Sequence, residues 1–476
     1  MCGIRLFFIK SHKKPLNLNS ELIRGFELIC DGGACDRMDK DEIVERVKEE
    51  KVDFIDLMFS DLSGRLKSVT ISPRELEDCL HDGKWFDGSS IEGFTRIHES
   101  DMLLIPDVST YILLPWPRDK KRVARMICDV HEPGKTSFAG DPRYVLRRIR
   151  EKAQKKRYSY HVGPEIEFFL FRSREERTYH DRAGYFDFSP RDLATDIRAV
   201  MVSTLEELGI PVEMSHHECA PSQHEIDIEY SDALKSADNV MVLKQAIKTV
   251  ADDNGLHATF MPKPVFGVNG SGMHTHQSLL NKDGENIFYD KTDDYKLSSL
   301  AYHFMGGQLK YIREMVAVLC PTINSYKRLV RGYEAPVYIC WGQRNRSALI
   351  RVPRYSVGRE KSTRLELRCP DPSCNPYLAF AVMLAAGLKG IEEKIKPPDP
   401  VEEDVYEFDD RKLAKFYIKT LPEDLGEAIQ ELKESRFMRE TLGEHVFNKY
   451  LETKTTEWKE FEKSVTDWEL NRYRNL

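Results

Sequence analysis

Between residues 163 and 368 the chain repeatedly alternates apolar and polar positions with a period of two, the mark of strands with one buried and one polar face. In Gly163-Pro164-Glu165-Ile166-Glu167-Phe168-Phe169-Leu170-Phe171, Glu165 and Glu167 point one way while Ile166, Phe168 and Leu170 point the other. His224-Glu225-Ile226-Asp227-Ile228-Glu229 sets Glu225, Asp227 and Glu229 opposite two isoleucines, and Gly272-Met273-His274-Thr275-His276-Gln277-Ser278 puts His274, His276 and Ser278 on one face. Arg364-Leu365-Glu366-Leu367-Arg368 places a glutamate between arginines with both leucines behind. Like charges at this spacing repel, so a sheet holds them only where the face is wet, paired with cations or built around a metal. Four such strands in one sheet predict an acidic, histidine-containing, arginine-rimmed pocket suited to phosphate chemistry on metal ions.

The remaining pattern predicts two domains after an N-terminal extension. Residues 1–37 show no sustained periodicity, and Met38 reads as the genuine start. A helix opens at Asp39 to Glu42 with Ile43, Val44 and Val47 as its apolar stripe, and 52–60 and 66–71 form a hairpin about Asp61-Leu62-Ser63-Gly64-Arg65. A Gly/Ser loop at 86–94 and short strands to residue 130 complete a small β-rich domain, 38–140. Asp141-Pro142 caps a helix to about residue 155 and opens a larger domain, 141–476. There strands alternate with long helices at 192–207 and 232–254, an apolar core helix at 377–388, and a loop at 394–410 before a helical C-terminus. The fold class is α+β.

Composition narrows the function. A net charge of -7 over 476 residues gives no case for nucleic acid or an anionic membrane as partner. The longest apolar run is about half of the roughly 20 residues a spanning helix needs. The ten cysteines include no CxxC pair and read as reduced, buried thiols, and the expected location is the cytoplasm.

The motifs, taken together and in order, resemble type I glutamine synthetase from about Met38 to the C-terminus. They are Phe86-Asp87-Gly88-Ser89-Ser90-Ile91, Gly163-Pro164-Glu165-Ile166-Glu167, His216-His217-Glu218 with Gln223-His224-Glu225, Lys263-Pro264 with Asn269-Gly270-Ser271-Gly272-Met273-His274, Asn324-Ser325-Tyr326-Lys327-Arg328 with Glu334-Ala335-Pro336, Arg344-Asn345-Arg346-Ser347, and Arg364-Leu365-Glu366-Leu367-Arg368 with Pro370-Asp371. The resemblance implies a β-grasp-like N-terminal domain and a catalytic domain with an antiparallel sheet backed by helices. It also implies a homododecamer of two hexameric rings whose active sites are shared between neighbours.

Carried over by position, the resemblance implies two divalent ions, Mg²⁺ with Mn²⁺ as an alternative: one on Glu167, Glu218 and Glu225, the other on Glu165, His274 and Glu366. ATP as substrate would meet Glu213, His276, Gln277, Ser278, Arg346, Arg351, Lys361 and Arg364. L-glutamate would be held by Asn269, Gly270, Arg328, Glu334, Arg346 and Arg368. Asp87 of an adjacent subunit and Glu334 would form the ammonium site, with Arg346 as a third catalytic group. The implied reaction is ATP-dependent ligation of ammonia to glutamate through γ-glutamyl phosphate, with a γ-glutamyl ligase acting on an amine or polyamine as the alternative.

Departures from the family pattern are Arg331 in place of a usual proline, Ser222 in place of a common glycine, and a slightly longer stretch at 355–360 before Lys361. Tyr406 lacks the adenylylation context of one subgroup. The sequence is similar instead to the feedback-inhibited alpha subgroup, which implies that Arg96 senses glutamine. The opening Met1-Cys2-Gly3-Ile4 also resembles the start of class II glutamine amidotransferases, but no glutaminase-domain pattern follows. Two further expectations are that residues 1–37 are dispensable and that Glu366→Ala abolishes turnover without unfolding the protein.

Overall fold

Among the described residues the first element is α1 (Lys40–Glu49), whose N-cap is Asp39 and whose Ile43 and Val47 face inward. A computed structural model describes residues 39–91, 93 and 101–476; residues 1–37 and Arg96 lie outside the described residues. The hairpin is β1 (Phe54–Ser60) and β2 (Leu66–Ile71), closed by Asp61, whose Oδ1 accepts the Arg65 N–H at 2.8 Å. After α2 (Leu76–Asp82) come β3 (Lys84–Asp87), β4 (Asp101–Pro106), β5 (Ile112–Leu113) and β6 (Val123–His131). Among the described residues these strands form one sheet in the order β2-β1-β6-β4-β3, with β5 also on β6. Its β1–β6 pairing is parallel and the rest antiparallel.

The larger region begins with α3 (Pro142–Lys155), capped by Asp141 with Pro142 in its first turn. There follow β7 (Ser159–Phe171), α4 (Thr195–Glu207), β8 (Val212–His217), β9 (Gln223–Ile228), β10 (Ser231–Asp232), α5 (Ala233–Asp253), β11 (His257–Thr259) and β12 (Thr275–Leu280). The chain continues through α6 (Ser299–Leu319), α7 (Ile323–Arg328), β13 (Tyr338–Gly342), β14 (Ala348–Arg351), β15 (Leu365–Leu367) and α8 (Pro376–Glu393), before a series of C-terminal helices ending at Tyr473. The sheet runs β13-β14-β15-β12-β7-β9-β8, with β10 and β11 also on β7. It is antiparallel except at β13–β14, so the expected antiparallel sheet is a mixed one.

Central β7 explains the division of faces. Ile166, Phe168 and Leu170 are buried in the main core, against which α5 packs. Beyond Glu165 and Glu167 the opposite face turns apolar at Phe169 and Phe171, which pack with Ala220 in a separate small cluster. The core helix is longer than expected, α8 being buried along most of its length. It crosses α6 closely: a Cβ on Gly390 would lie 2.1 Å from the His303 carbonyl and 2.7 Å from Gly307 Cα.

Both sheets belong to one unit, Asp39–Leu476, and a buried cation ties them. Arg143 of α3 reaches Asp129 at 2.6 Å and Asp107 at 2.8 Å on the small-sheet side. Its Nε and Nη2 also hold both oxygens of Asp238 on α5, at 3.0 and 2.9 Å. The Tyr377 hydroxyl donates to Asp238 at 2.7 Å. Among the described residues no helix is long and apolar enough to cross a membrane.

Candidate active site

Strand register brings the alternating polar positions together. Glu165 lies opposite Asp227 and Glu167 opposite Glu225 across β7–β9, while His216 faces Glu225 across β8–β9. On the other side His276 pairs with Glu366 across β12–β15. The result is two adjacent clusters of potential ligands, Glu165 with His274 and Glu366, and His216 with Glu218 and Glu225.

In the first cluster, His274 Nδ1 is 3.2 Å from Glu165 Oε2 and 3.9 Å from Glu366 Oε1. Arg364 Nε donates to His276 Nδ1 at 3.0 Å, so the proton of that ring sits on Nε2, which donates to Glu165 Oε1 at 2.6 Å. In the second, His216 Nε2 is 3.3 Å from Glu225 and its Nδ1 3.7 Å from Glu218. Glu167 lies between them, with Oε1 3.9 Å from His274 Nε2 and Oε2 accepting from Gln223 at 2.8 Å.

Charge sorts the carboxylates into two kinds. Burial, then the negative charge of Glu218, pushes Glu167 up to about 8. Burial and then Glu225 push Asp227 up to about 10, while Glu225 itself is raised well above the usual range by burial and by Glu167, Glu165 and Glu218. For Glu165, burial works upward, but hydrogen bonds from His274 and His276 outweigh it and hold the group well below the usual range. For Glu366, burial is likewise opposed by the His276 ring and by the positive charges of Arg368 and Arg351, and the net direction is down. Crowded buried carboxylates that resist ionisation are what a cation site looks like in the bare protein. A set dominated by carboxylate oxygens, with an imidazole in each cluster, fits hard divalent ions such as Mg²⁺ or Mn²⁺.

Buried cations border these clusters. Arg328 donates to the carbonyls of Cys369 and Arg368 at 2.7 and 3.0 Å, and Arg368 keeps Nη1 without a hydrogen-bond partner. Close approach explains two glycines: a Cβ on Gly270 would lie 2.2 Å from the Pro262 carbonyl, and one on Gly272 would lie 2.5 Å from Arg328 Nη2. Asn269 is half-buried in the same loop.

The other expected residues fall out as follows. Ser278 shares the face of His276 and is buried. Gln277 does not join them: its side chain lies on the opposite face, in the core, bonded to the Tyr160 hydroxyl at 2.7 Å and to Gln308. Alternation along β12 excludes its side chain from a site on the other face, which corrects the expectation. Glu213 on β8 is exposed, as are Arg346 and Lys361. Arg351 pairs with Glu366 at the sheet. Glu334 is exposed, with φ of 56°, and its charge contributes to raising Glu218. Asp87 ends β3 in the small sheet, its Oδ1 accepting from Ser89 N–H, and belongs to neither carboxylate cluster. Arg331 stacks over the Tyr338 ring, and the Tyr406 hydroxyl donates to the Ala335 carbonyl beside Glu334. Ser222 has φ of 63°, a conformation that favours glycine.

The ligand set expected from the sequence leaves out His216. The signal was present, since His216 and Glu218 are two apart, as are Glu165 and Glu167.

Two family models match, "Glutamine synthetase, beta-Grasp domain" over residues 51–133 and "Glutamine synthetase, catalytic domain" over residues 139–473. The chain is 51% identical over 441 residues to a glutamine synthetase of Methanosarcina mazei, covering 92% of this chain and 98% of that protein. It is 51% identical over 440 residues to that of Thermotoga maritima, covering 91% and 99%. Among solved structures, one named "GmaS/ADP complex-Conformation 1" superposes with a TM-score of 0.83 at 32% identity, covering 91% of this chain and 99% of that one. A cryo-electron-microscopy structure of Plasmodium falciparum glutamine synthetase gives a TM-score of 0.83 at 26% identity, covering 91% and 98%. With models spanning both sheets and relatives aligned over nine-tenths of its length, the chain is an enzyme of the glutamine synthetase family.

Proposed function

We propose that this enzyme ligates ammonia to the γ-carboxylate of L-glutamate, converting ATP to ADP and phosphate through a γ-glutamyl phosphate intermediate. The observation that carries the reading is the pair of carboxylate clusters on one sheet face, bordered by buried arginines, in a chain of this family. Glu167, Glu218 and Glu225, joined by His216, would hold one divalent ion; Glu165, His274 and Glu366 would hold the other. When bound, the ions neutralise phosphate charge and align donor and acceptor oxygens.

The chain's own residues then divide the work. Arg328 and Arg368, with the 269–270 loop, bind and orient the glutamate. His276, Ser278 and Arg364 face the nucleotide, together with Glu213, Arg351 and Lys361. A γ-carboxylate oxygen attacks the terminal phosphorus as ADP leaves, and Arg346 stabilises the charge that develops on the transferred group, an effect worth about 2.7 to 4 kcal/mol for a donor of this kind. Asp87 of a neighbouring subunit and Glu334 attract ammonium and accept its proton. The freed ammonia attacks the acyl carbon, and phosphate departs.

The shared site requires an assembly, proposed as two stacked hexameric rings. Val465, Trp468 and Leu470, exposed at the C-terminal end of the single chain, support contacts with other copies. We assign the enzyme to the cytoplasm and to the alpha-type subgroup, with domains 38–140 and 141–476 after the 1–37 extension. In this reading Arg96→Ala raises the glutamine concentration for half inhibition by roughly 5- to 150-fold while turnover stays near normal.

The deciding assay measures phosphate release with glutamate, ATP and Mg²⁺ against ammonia and a panel of amines. Ammonia as the preferred acceptor is the expected result. Preference for an amine would overturn the acceptor assignment, and no acceptor-dependent release would overturn the reaction.

A further inference from the structure

Strands β8 and β9 are joined by a tight turn, in which Glu218 N–H donates to the Gln223 carbonyl at 2.8 Å and Gln223 N–H to that of Ala220 at 3.0 Å. Glu218 stands at the entry of this turn and Glu225 just past its exit. Behind it, away from the carboxylate clusters, Asp181 grips both sides. Its Oδ1 accepts from Ser222 N–H at 3.1 Å and from His217 Nε2 at 2.9 Å. The Ser222 hydroxyl accepts from Asp181 N–H at 3.0 Å and donates to the Asp181 carbonyl at 3.2 Å. The other ring nitrogen, His217 Nδ1, donates to the Glu218 carbonyl at 2.7 Å. Asp181, His217 and Ser222 are all buried.

Asp181, His217 and His224 are close enough together to resemble a third ligand cluster. The hydrogen bonds say otherwise. Both His217 nitrogens face acceptors and so both donate, which leaves no lone pair for an ion. His224 Nδ1 accepts from Arg198 at 3.0 Å, and Arg198 is itself paired with Asp192 at 2.6 Å. These contacts commit both His217 nitrogens, His224 Nδ1 and Asp181 Oδ1 to holding the turn and its neighbours, leaving Asp181 Oδ2 as the one lone-pair donor of the three side chains without a hydrogen-bond partner.

We propose that Asp181, His217 and Ser222 form a clasp that positions Glu218 for cation binding. Asp181 fixes the turn at Ser222, and through His217 it fixes the Glu218 carbonyl, so that the carboxylate projects toward Glu225 and His216. None of the three belongs to the two carboxylate clusters, and they act as positioning residues. Ser222 carries the sharpest evidence: its φ of 63° favours glycine, yet the serine makes two hydroxyl bonds that glycine could not. The segment between β7 and α4 that carries Asp181 also lies along β8, where Phe186 N–H donates to the His217 carbonyl at 3.1 Å and its ring packs 4.6 Å from that of His216.

The clasp rests on the metal reading above, and Mn²⁺ titration of the full-length enzyme without substrates, followed by electron paramagnetic resonance of free Mn²⁺, separates the two. The wild type is expected to show two tight sites; absence of both would overturn the metal reading and the clasp with it. With two sites present, Asp181→Asn and Ser222→Gly are expected to weaken one site by about 10- to 100-fold and leave the other unchanged. Ser222→Gly suits the backbone and should keep its thermal midpoint, so weaker binding there cannot be put down to unfolding. Phosphate release should then need more Mn²⁺ but reach the wild-type maximum at saturation. Unchanged affinity at both sites in folded Ser222→Gly would overturn the clasp, as would equal loss at both sites with a lowered midpoint, and Ser222→Gly decides the matter if Asp181→Asn does not fold.

Discussion

Glu366 shows how a carboxylate can be ligand and keystone at once. It is 1% exposed and sits against Arg351 and Arg368, the latter at 3.2 Å. The expectation that Glu366→Ala removes a ligand without touching the fold therefore needs revision, because the substitution strands two arginines beside a vacated buried position. Breaking a buried pair from one side costs about 3 to 5 kcal/mol. Glu366→Ala should lose activity and also melt earlier, whereas Glu366→Gln keeps shape and an acceptor and should lose activity with a smaller shift. Circular dichroism melts beside phosphate release test this; an alanine variant as stable as wild type would show that the arginines find other partners. At this scale much of the site was legible in the sequence, because a period of two assigns each side chain to a face without knowledge of the fold. The same rule applied strictly would have excluded Gln277 and admitted His216. What it could not give is which carboxylates would be driven up and which held down, since that depends on neighbours one and two strands away.

Elements were legible where local chemistry ends them and illegible where a distant partner does. Asp141 with Pro142 fixed the start of α3, and Asp232 capped α5 as its position suggested. The helix expected from 192 begins only at Thr195, because Asp192 spends its side chain on Ala194 N–H and Arg198. The parallel β1–β6 pairing left no mark in either strand, joining segments that nothing local relates. The α6–α8 crossing is of the same kind, and its glycines give a direct test. Gly390→Ala drives a Cβ into the His303 carbonyl and should destabilise by about 1 to 3 kcal/mol. Gly134→Ala, which meets nothing within 4 Å, should stay within about 0.5 kcal/mol. Equal melting temperatures for the two variants would mean the helices can separate at no cost.

Helix α5 also carries a pH-dependent term. Lys244 is half-buried with its Nζ donating to the Pro372 carbonyl at 2.7 Å, and burial pulls its pKa down to about 8. Because the folded value lies below the unfolded one, the unfolded chain binds the extra proton between them. Stability from this group therefore rises as pH climbs from about 8 toward the unfolded value near 10.4. Allowing for partial solvent screening, the rise is about 1 to 2 kcal/mol. Denaturant unfolding of wild type and Lys244→Met at pH 8 and pH 10.5 isolates it, since other titrating groups are common to both. The gap between the two proteins should narrow at the higher pH, and a constant gap would remove Lys244 from the account.

At the scale of the molecule, the question is what keeps the small sheet in a fixed relation to the catalytic one, since the proposed role of Asp87 in the first is to serve chemistry on the second type of sheet. Arg143 is the main polar tie: from α3 it holds Asp107 and Asp129 on one side and Asp238 on the other, while only 3% of its side chain is exposed. For Asp107, burial works upward, yet the charge of Arg143 leads the opposing effects and leaves the group below its usual range. Nothing in the sequence distinguishes Arg143 from the other arginines of a cationic helix; its role comes from three acids at sequence distances of 14, 36 and 95. Replacing it by methionine preserves much of the apolar stem but takes the shared cation from three carboxylates, of which Asp129 keeps Arg147 at 2.7 Å, at an expected cost of about 3 to 5 kcal/mol. Arg143→Lys restores charge but cannot reproduce a planar fork that serves three partners, so it should recover only part of the loss. If the tie also sets the relation of the sheets, Arg143→Met should expose the junction, and limited proteolysis should cut between residues 131 and 142 before the rest of the chain. A methionine variant with wild-type unfolding midpoint and an uncut junction would show that apolar packing alone holds the two sheets together.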